Sequence, residues 1–256
     1  MNVFHEYSQY YDLLYQDKDY QSETQFLNSL LKSYGVVQGK ILELGCGTGK
    51  HAIFLASLGY EILGIDISHE MIELANKNKS ELPSIIADRI VFQQGDIRDF
   101  RTNCRFDAVI SLFHVINYQT SNEDLLSTFS TVKFHILSGK PFIFDSWYGP
   151  SVLSDKPVNR IKRIENNSFR LFRFAQPTLF PNDSLVNIDY EIIVYNKVNG
   201  TCSVINERHS IRYLFKSEVK LLLNSAGLKL LECGKWMSHL EPDLTSWSSW
   251  YSAIAQ

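Results

Sequence analysis

The sequence has 256 residues, of which 45% are hydrophobic and 21% charged, and its formal net charge is −3. This length suits one domain with an insertion, or two small domains, and the composition is typical of a soluble globular protein. There is no basic block of the kind that nucleic-acid surfaces need, and no apolar run approaches the ~20 residues of a membrane span.

The cysteines and the N-terminus predict where the protein works. Cys46, Cys104, Cys202 and Cys233 lie far apart with no C-x-x-C, so they predict neither a disulfide framework nor a zinc site. The first residues, MNVFHEYSQYYD, are polar and aromatic, unlike a signal peptide. We therefore predict a cytoplasmic protein without a metal, and leave its oligomeric state open, with a homodimer as one form.

Strands and helices alternate up to about residue 150. Strands are predicted over 40–44, 60–66, 90–96, 106–113 and 141–147. Helices are predicted over 22–34 with a capping box at Ser22 and Gln25, over 50–58, after a cap at Ser68, and over about 123–137. Apolar strands separated by helices are typical of a parallel sheet covered on both faces.

The pattern changes after Pro150. Residues 160–175 predict a hairpin, residues 185–196 alternate apolar and polar side chains, and Asn199-Gly200 predicts a type I′ turn into the next strand. A helix over 217–226, capped by Ser217, and the strands LKLLEC and WYSAIA then resume the α/β pattern. We predict an α/β domain of residues 1–150 and 216–256, with an antiparallel β insertion, residues 151–215, over one end of the parallel sheet.

A glycine-rich turn, ELGCGTGKH, joins the first strand of this pattern to a helix. Glycines at 45, 47 and 49 allow positive φ and let a ligand touch the backbone, and the helix N–H groups face that ligand. The third glycine comes one residue earlier than in the dinucleotide motif G-x-G-x-x-G. Glu43 beside the turn would repel a pyrophosphate but suits an ammonium or a sulfonium group.

Further acids follow the next two strands. Asp66 ends the second strand, where a carboxylate can accept both hydroxyls of a ribose. Gly95-Asp96-Ile97 follows the third strand, where Asp96 could accept from an adenine amino group and Ile97 pack on the ring. A positively charged ribosyl adenine, S-adenosylmethionine (SAM), fits this set. The alternative is a plain strand–turn–helix whose acids only cap turns.

These stretches resemble the motifs of class I SAM-dependent methyltransferases. ILELGCGTGKHAIFLASLGYEILGIDIS resembles the first two motifs, FQQGDIRDF the adenine motif and FDAVISLFHVINY the fourth-strand motif. The resemblance implies a Rossmann-like, doubly wound, mostly parallel seven-stranded sheet, with WYSAIA reversed between the fifth and sixth strands. The cofactor contacts that we predict are Gly45, Cys46, Gly47, Asp66, Ile67, Met71, Asp96, Ile97 and Ser111, the last through its carbonyl.

The flanking segments point to a subgroup. YYDLLYQDKDYQSE resembles the N-terminal lid of small-molecule methyltransferases. A lid with an antiparallel insertion resembles the N-methyltransferases that act on nucleotide-linked amino sugars. Tyr11, Tyr15 and Lys18 are therefore predicted to close over the cofactor, with Lys18 meeting its carboxylate; the alternative is an aromatic surface helix.

Candidates for the chemistry lie beyond the fourth and fifth strands. His114 and Tyr118 share the loop after the fourth strand, at the edge where ligands bind, and we predict that they act as base or hold the acceptor. Predicted substrate contacts are Asp145, Trp147, Tyr148, His209 and Arg212, for which inward packing or turn capping is the alternative.

The predicted function is transfer of a methyl group from SAM to nitrogen or oxygen of a small polar acceptor, a sugar or nucleotide-linked amino sugar. Two other functions stay open from the residues. One is an NAD(P)-dependent oxidoreductase, which the early third glycine disfavours. The other is a SAM-binding protein without transferase activity, for which an apolar acceptor pocket would be expected.

Overall fold

The computed structural model describes residues 10–255 and contains two sheets. The strands are β1 (Lys40–Leu44), β2 (Glu61–Asp66), β3 (Ile90–Gln94), β4 (Ala108–Ser111), β5 (Pro141–Trp147), β6 (Arg160–Glu165), β7 (Phe169–Phe180), β8 (Leu185–Asn196), β9 (Cys202–Arg212), β10 (Leu228–Lys235) and β11 (Ser248–Ala255). The helices are α1 (Tyr11–Leu14), α2 (Tyr20–Ser33), α3 (Lys50–Ser57), α4 (His69–Ser80), α5 (Ser84–Ala87), α6 (Asn122–His135), α7 (Gly149–Ser154) and α8 (Lys216–Ser225).

The larger sheet has seven strands in the order β10-β11-β5-β4-β1-β2-β3. Strands β1 to β5 pair in parallel, whereas β11 runs antiparallel to both of its neighbours, β5 and β10. The predicted doubly wound sheet with a reversed last strand is thereby confirmed. The chain moves outward from β1 through β2 to β3 and then returns to place β4 on the other side of β1. The loops after β1 and β4 therefore leave the sheet in opposite directions. Such a topological switch point is where ligands bind in doubly wound sheets.

Helices cover both faces of this sheet. One face packs against α6 and α8 through side chains such as Phe129, Val132 and Leu223. The opposite face packs against α2, α3 and α4 through side chains such as Leu27 and Leu55. Burial on both faces explains why the strands read as continuous apolar runs in the sequence.

Two helix starts differ from the prediction. Helix α2 begins at Tyr20 because Oδ1 of Asp19 accepts a hydrogen bond from the backbone N–H of Ser22 (2.9 Å), so the predicted capping box is wrong. Helix α8 begins at Lys216 because the Glu218 carboxylate accepts from the backbone N–H of Phe215 (3.4 Å), so Ser217 is not the cap. In both cases a carboxylate accepts a hydrogen bond from a backbone N–H three residues away. This N–H lies at the helix N-terminus and would otherwise have no hydrogen-bond acceptor within the helix.

The smaller sheet is antiparallel, in the order β6-β7-β8-β9. The predicted hairpin of β6 and β7 is confirmed, but the predicted type I′ turn is wrong. Gly200 has positive φ whereas Asn199 does not, and a four-residue loop closes by a hydrogen bond from the N–H of Gly200 to the carbonyl of Asn196 (2.9 Å). A type I′ turn needs positive φ at both central residues.

The first residues of the predicted insertion are helical, since they form part of α7. The division of the chain at residues 150 and 215 stays a prediction, and residues 1–9 and 256, which fall in the predicted α/β domain, lie outside the described residues. None of the helices formed within residues 10–255 has the length and apolarity to cross a membrane.

Helix α1 packs on the antiparallel sheet, because Leu14 is fully buried with Leu171 and Ile192. On its other side the helix reaches the glycine turn, where Oδ1 of Asp12 accepts from the hydroxyl of Thr48 (2.7 Å). The helix therefore bridges the two sheets.

Candidate active site

A cavity of about 500 Å³ lies where the loops after β1, β2 and β4 meet helix α1 and the antiparallel sheet. The predicted site residues that line it are Tyr11, Tyr15, Gly45, Cys46, Gly47, Asp66, Ile67, Met71, Asp96, Ile97, His114, Tyr118, Trp147 and His209. The parallel sheet brings most of these residues together because their loops leave adjacent strands at one edge.

All three glycines of the turn have positive φ, but the space around their Cα atoms differs. A Cβ on Gly45 would lie 2.4 Å from Cγ1 of Val115, and a Cβ on Gly49 would lie 2.4 Å from Cζ of Phe92, so both positions are closed by packing. A Cβ on Gly47 would meet no atom within 4 Å, and Gly47 lines the cavity. Gly47 is therefore the position at which a ligand can approach the backbone.

Asp66 is held by the backbone on both of its oxygens. Oδ2 accepts from the N–H of Gly47 (2.9 Å) and Oδ1 from the N–H of Ser68 (2.9 Å). Burial raises the pKa of the Asp66 carboxyl, and these hydrogen bonds oppose that effect. The side chain is thus fixed beside the turn with lone pairs left for a ligand hydroxyl.

Glu43 lies in β1, 1% exposed, and its Oε2 has no hydrogen-bond partner among residues 10–255. Its Oε1 is 3.9 Å from Nδ1 of His51, too far for a hydrogen bond. Burial and, secondarily, the charge of Asp66 raise the pKa of Glu43 to about 8. A buried carboxyl without a partner next to a ligand cavity suits a cationic group in that cavity.

Asp96 is paired with a residue that the prediction missed. Nη2 of Arg98 donates to Oδ2 of Asp96 (2.6 Å) and its Nε to Oδ1 (3.0 Å), while Nη1 reaches Asp124 (2.8 Å). The hydrogen bonds from Arg98 lower the pKa of the Asp96 carboxyl. Asp96 thus meets the cavity as an ionised acceptor whose position Arg98 sets.

His114 is held by backbone conformation and by Asp145. Phe113 and His114 both adopt left-handed backbone angles, φ 62° and 65°, which non-glycine residues rarely do and which cost free energy. The backbone N–H of His114 donates to Oδ1 of Asp145 (3.0 Å), and its Nδ1 lies 2.8 Å from Oδ2 at an angle unsuited to a directed hydrogen bond. Nε2 is the ring nitrogen left for a ligand.

Tyr118 connects the parallel sheet to the antiparallel one. Its hydroxyl lies 2.8 Å from Nδ1 of His209, a residue of β9 that is 3% exposed. Burial raises the pKa of Tyr118 well above its usual range, so the phenol stays protonated at neutral pH. Tyr118 and His209 both line the cavity.

The predicted lid residues lie in and beside α1. Tyr11 and Tyr15 line the cavity, and the Tyr15 ring meets the Phe113 ring edge-on at 5.0 Å. Lys18 is not among the lining residues. It pairs with Glu23 and sits 4.2 Å from the centre of the Phe113 ring, so it holds the chain after the lid against the loop after β4.

Four other predicted residues also lie behind the cavity wall. Ser111 donates its hydroxyl to the carbonyl of Leu44 (3.0 Å), Asp145 supports His114, and Tyr148 begins α7. Arg212 is buried with Glu218 and with Oδ1 of Asn122 (2.6 Å). Their predicted roles toward ligands remain predictions, and Arg212 and Ser111 have evident structural partners.

Several lining residues were not predicted, among them Thr48, Lys50, His51, Glu70, Arg98, Phe113, Gln119 and Tyr190. His51 has no ligand spacing to another histidine in the sequence, and its Nε2 lies 2.9 Å from Oε2 of Glu23. Arg98 follows Asp96 by two residues, and this spacing was the one available signal for its ion pair. Within residues 10–255, no group of three His, Cys, Asp or Glu side chains could hold a metal ion.

The residues present fit a sulfonium nucleoside. Gly47 offers open backbone, Glu43 provides a buried carboxyl with an oxygen that lacks a partner, and Asp66 has fixed acceptor oxygens. An ammonium or sulfonium near Glu43 would offset the charge that its ionisation places in the protein interior. The cavity therefore has polar acceptors for a ribose, and Glu43, which does not itself line the cavity, lies two residues before the lining Gly45.

Comparisons with known proteins show a similarity to methyltransferases. Residues 41–136 match the family model described as "Methyltransferase domain". The dTDP-3-amino-3,4,6-trideoxy-alpha-D-glucopyranose N,N-dimethyltransferase of Streptomyces venezuelae is 29% identical over 147 residues, which are 57% of this chain and 59% of that protein. The chain thus spans somewhat over half the length of this relative.

Solved structures extend the similarity in fold to the whole chain. A SAM-dependent methyltransferase from Clostridium acetobutylicum has a TM-score of 0.80 at 22% identity, covering 99% of both chains. SAM-bound CalS10, an amino pentose methyltransferase from Micromonospora echinaspora, has a TM-score of 0.76 at 17% identity, covering 100% of this chain and 99% of that one. These matches confirm the predicted resemblance and support SAM as the cofactor.

Proposed function

We propose that this chain is a class I SAM-dependent methyltransferase that methylates the amino nitrogen of a small sugar linked to a nucleotide, which the matching methyltransferase domain, the Streptomyces relative and the fold support. The observation that carries the proposal is that two unlike sets of residues line one cavity. Gly47, Asp66 and Asp96, from the carboxyl ends of β1, β2 and β3 and the loops that follow them, form one set, and His114, Tyr118 and His209, from the loop after β4 and from β9, form the other. A cofactor and an acceptor can meet between them.

The acceptor end suits a polar molecule with an amine. Aromatic rings of Tyr118, Trp147 and Tyr190 line it, and such rings pack on sugar faces and attract cations. Nε2 of His114 and the hydroxyl of Tyr118 are the polar atoms that can orient a nitrogen there. The name of the Streptomyces relative, an amino-sugar N,N-dimethyltransferase, favours nitrogen over oxygen as the methylated atom.

SAM, when bound, supplies an activated methyl group together with its own leaving group. The residues of this chain then have to align the acceptor, exclude water and leave its nitrogen neutral. Alignment of this kind can contribute ~7–11 kcal/mol to lowering a barrier. Helix α1 and the antiparallel sheet exclude water on their side of the cavity. The loop after β4 carries the groups that touch the acceptor.

Cofactor binding is tested by calorimetry on the Asp66→Ala variant. Loss of hydrogen bonds from a charged group costs ~1.5–3 kcal/mol, so SAM should bind about ten- to a hundredfold more weakly. Asp107→Ala is the matched control, because Asp107 also accepts from backbone, from the N–H of Lys40 (2.9 Å), but at the other end of β1. Tight NADH binding with no SAM binding would instead support the oxidoreductase alternative.

Methyl transfer is tested with labelled SAM and a panel of nucleotide-linked amino sugars, free amino sugars and their hydroxyl analogues. Mass spectrometry of the products identifies the acceptor and the methylated atom. Products only from hydroxyl compounds would overturn the assignment to nitrogen. SAM binding with no product from any acceptor would support a binding protein without transferase activity.

The role of His114 is tested by single-turnover rates of His114→Ala against pH. If His114 removes a proton from the amine, the loss should reach ~10²–10⁴-fold near neutral pH and recede at high pH, where the amine is already neutral. If His114 orients the amine, the loss should be smaller and independent of pH. An unchanged rate and an unchanged acceptor KM would remove His114 from the site.

A further inference from the structure

The loop after β4 contains two consecutive residues in a strained backbone conformation. Phe113 and His114 have φ of 62° and 65°, in the left-handed region that residues other than glycine rarely adopt. Such a conformation persists only where the surroundings enforce it. The position of His114 at the cavity therefore depends on the contacts that hold these two residues.

The parallel sheet and the loop itself hold the backbone of His114. Its N–H donates to Oδ1 of Asp145 in β5 (3.0 Å), and its carbonyl accepts from the N–H of Asn117 (3.0 Å). Asp145 is 1% exposed and Asn117 is fully buried, so the core fixes both partners. Neither of these contacts involves helix α1 or the residues that follow it.

The lid segment, residues 11–18, holds the ring of Phe113. The Tyr15 ring meets this ring edge-on at 5.0 Å, and the ammonium of Lys18 lies 4.2 Å from its centre. A cation over an aromatic face is attracted by the electrons of the ring, most strongly where water is excluded. The side chain of Lys18 is 12% exposed, so the contact is largely shielded from solvent.

Lys18 is held in turn by Glu23 of helix α2. The two side chains form an ion pair, and the Glu23 carboxylate also lies 2.9 Å from Nε2 of His51 and accepts from Nε1 of Trp236 (3.3 Å). Burial acts to raise the pKa of Glu23, but the hydrogen bond with His51 and the charge of Lys18 lower it to about 2. Glu23 is thus an ionised anchor for Lys18 at neutral pH.

We propose that Lys18 is a positioning residue for methyl transfer, which acts through the Phe113 ring on His114. With Lys18 over the ring, the left-handed loop keeps the imidazole at the acceptor. Without Lys18, the loop can relax toward ordinary backbone angles and move the imidazole. This role rests on the proposed function, because it requires that His114 touches the acceptor, and it replaces the predicted contact of Lys18 with the cofactor carboxylate.

Lys18→Met tests this role, because methionine keeps most of the unbranched chain but has no charge. We expect kcat to fall about tenfold at saturating SAM and acceptor, the effect of losing a shielded contact between a cation and a ring, while SAM affinity stays within about twofold of wild type. A fall in SAM affinity with unchanged kcat would overturn the proposal and support contact between Lys18 and the cofactor carboxylate.

Lys18→Arg is the conservative change. Arginine keeps a cation that can lie over the Phe113 ring and pair with Glu23, so kcat should stay within about threefold of wild type. A loss as large as that of Lys18→Met would overturn the requirement for a cation at this position.

A double-mutant cycle with His114→Ala separates a role through His114 from a structural one. If Lys18 acts through His114, the double variant should lose no more rate than His114→Ala alone, because the imidazole that Lys18 positions is gone. Independent effects would multiply, so that the double variant would lose about tenfold more rate than His114→Ala. That result would overturn the proposal.

Lys162→Met is the matched control for this cycle. Lys162 of β6 also anchors the lid segment, since its Nζ donates to the carbonyl of Leu14 (2.7 Å), but its ring contact is with Tyr15 (6.0 Å). Any loss of rate in Lys162→Met should therefore multiply with that of His114→Ala. If the two losses failed to multiply, any loosening of the lid would disturb His114, and a specific role of Lys18 would be overturned.

The imidazole resonances of His114 provide a readout that needs no turnover. In the unliganded protein these signals, assigned by their absence in His114→Ala, should shift in Lys18→Met and keep their wild-type positions in Lys162→Met. Unchanged His114 signals in Lys18→Met would overturn the proposal while leaving the proposed methyl transfer intact. Absence of methyl transfer by the wild type would count against the proposed function, and the His114 signals would still decide whether Lys18 positions this side chain.

Discussion

Two carboxyl groups, of the buried Glu43 and the partly buried Asp66, flank the glycine turn, and their hydrogen bonding makes them differ. Asp66 has backbone N–H partners on both oxygens, whereas Oε2 of Glu43 has no partner within the described part of the chain. Burial raises the pKa of both, and that of Glu43 reaches about 8. At the scale of the residue, the fixed oxygens of Asp66 can accept from a ligand hydroxyl. For Glu43, the described part of the protein provides no charge that would compensate its ionised carboxylate.

Glu43→Gln should change how stability depends on pH. The unfolded chain ionises Glu43 near its ordinary value of 4.5, whereas the folded chain keeps the proton up to about 8. The folded state thus binds more protons in this window, and the free energy of unfolding should fall as pH rises, by up to about 1.4 kcal/mol per pH unit.

Urea unfolding of both proteins at pH 5.5 and pH 7.5 checks this. The wild type should lose stability relative to Glu43→Gln between these values. Parallel behaviour of the two proteins would contradict the assignment of this pH dependence to Glu43.

Alanine at Gly45 and at Gly47 should have different effects. At Gly47 the added Cβ meets no atom, so Gly47→Ala should cost only about 1–2 kcal/mol of backbone strain while weakening SAM binding. At Gly45 the Cβ would overlap Val115, so Gly45→Ala should destabilise the fold by more than Gly47→Ala. Thermal unfolding and SAM calorimetry on the two variants separate packing from ligand approach; equal losses of stability would contradict the distinction.

At the scale of the element, helix α1 is too short to be stable alone, and its neighbours hold it. Leu14 anchors it on the antiparallel sheet, and Asp12 anchors it on the glycine turn. Asp12 accepts from Thr48 (2.7 Å) and from Nδ2 of Asn78 (3.3 Å), and it lies 3.3 Å from Nζ of Lys50. The helix therefore closes the cavity only while these contacts persist.

Asp12→Ala should loosen this closure. The variant removes all three contacts, so SAM should dissociate faster and bind about tenfold more weakly, with little change in global stability. Stopped-flow dissociation of SAM and limited trypsin cleavage near Lys18 measure the effect. Asp88→Ala, on the exposed surface at the end of α5, is the control; identical dissociation rates in Asp12→Ala and the control would contradict this role for Asp12.

At the scale of the whole molecule, the parallel and antiparallel sheets meet at Asn117, which is fully buried. Its Oδ1 accepts from the backbone N–H of Trp147 at the end of β5 (3.1 Å), and its Nδ2 donates to the carbonyl of Arg212 at the end of β9. One amide side chain thus satisfies backbone groups of both sheets. The same contact sets the height of the antiparallel sheet above the acceptor end of the cavity.

Asn117→Ala should weaken the junction between the sheets. Each buried backbone group left without a partner costs ~1–3 kcal/mol, so the free energy of unfolding should fall by a few kcal/mol. The acceptor KM should rise more than the SAM dissociation constant, because the antiparallel sheet borders the acceptor end. Chemical denaturation and steady-state kinetics check this against Asn224→Ala, an exposed change in α8; equal effects on both ligands would contradict it.

Much of the fold could be predicted because its signals are local. The apolar runs of β1 and β5 and the Ser68 cap of α4 depend on residues within a few positions of one another, and the structure has them where the sequence predicts. The failed predictions have different causes. Asp19 and Ser22 are competing local caps for α2, and the structure uses Asp19, whereas the closure of the loop at Gly200 goes with the register of β8 and β9, which the dipeptide Asn199-Gly200 does not set.

The sequence by itself determined the cofactor end of the site, because a glycine turn and acids that follow successive parallel strands must meet at one edge of a doubly wound sheet. Tertiary structure alone decided which side chains touch one another around the acceptor side of the site. Tyr118 and His209 are 91 residues apart, Asn117 and Arg212 are 95 apart, and Asp12 and Thr48 are 36 apart, and no periodicity links these pairs. Their contacts follow from how one sheet seats on another, which depends on the summed packing of side chains across the interface and so cannot be read from the spacing of any motif.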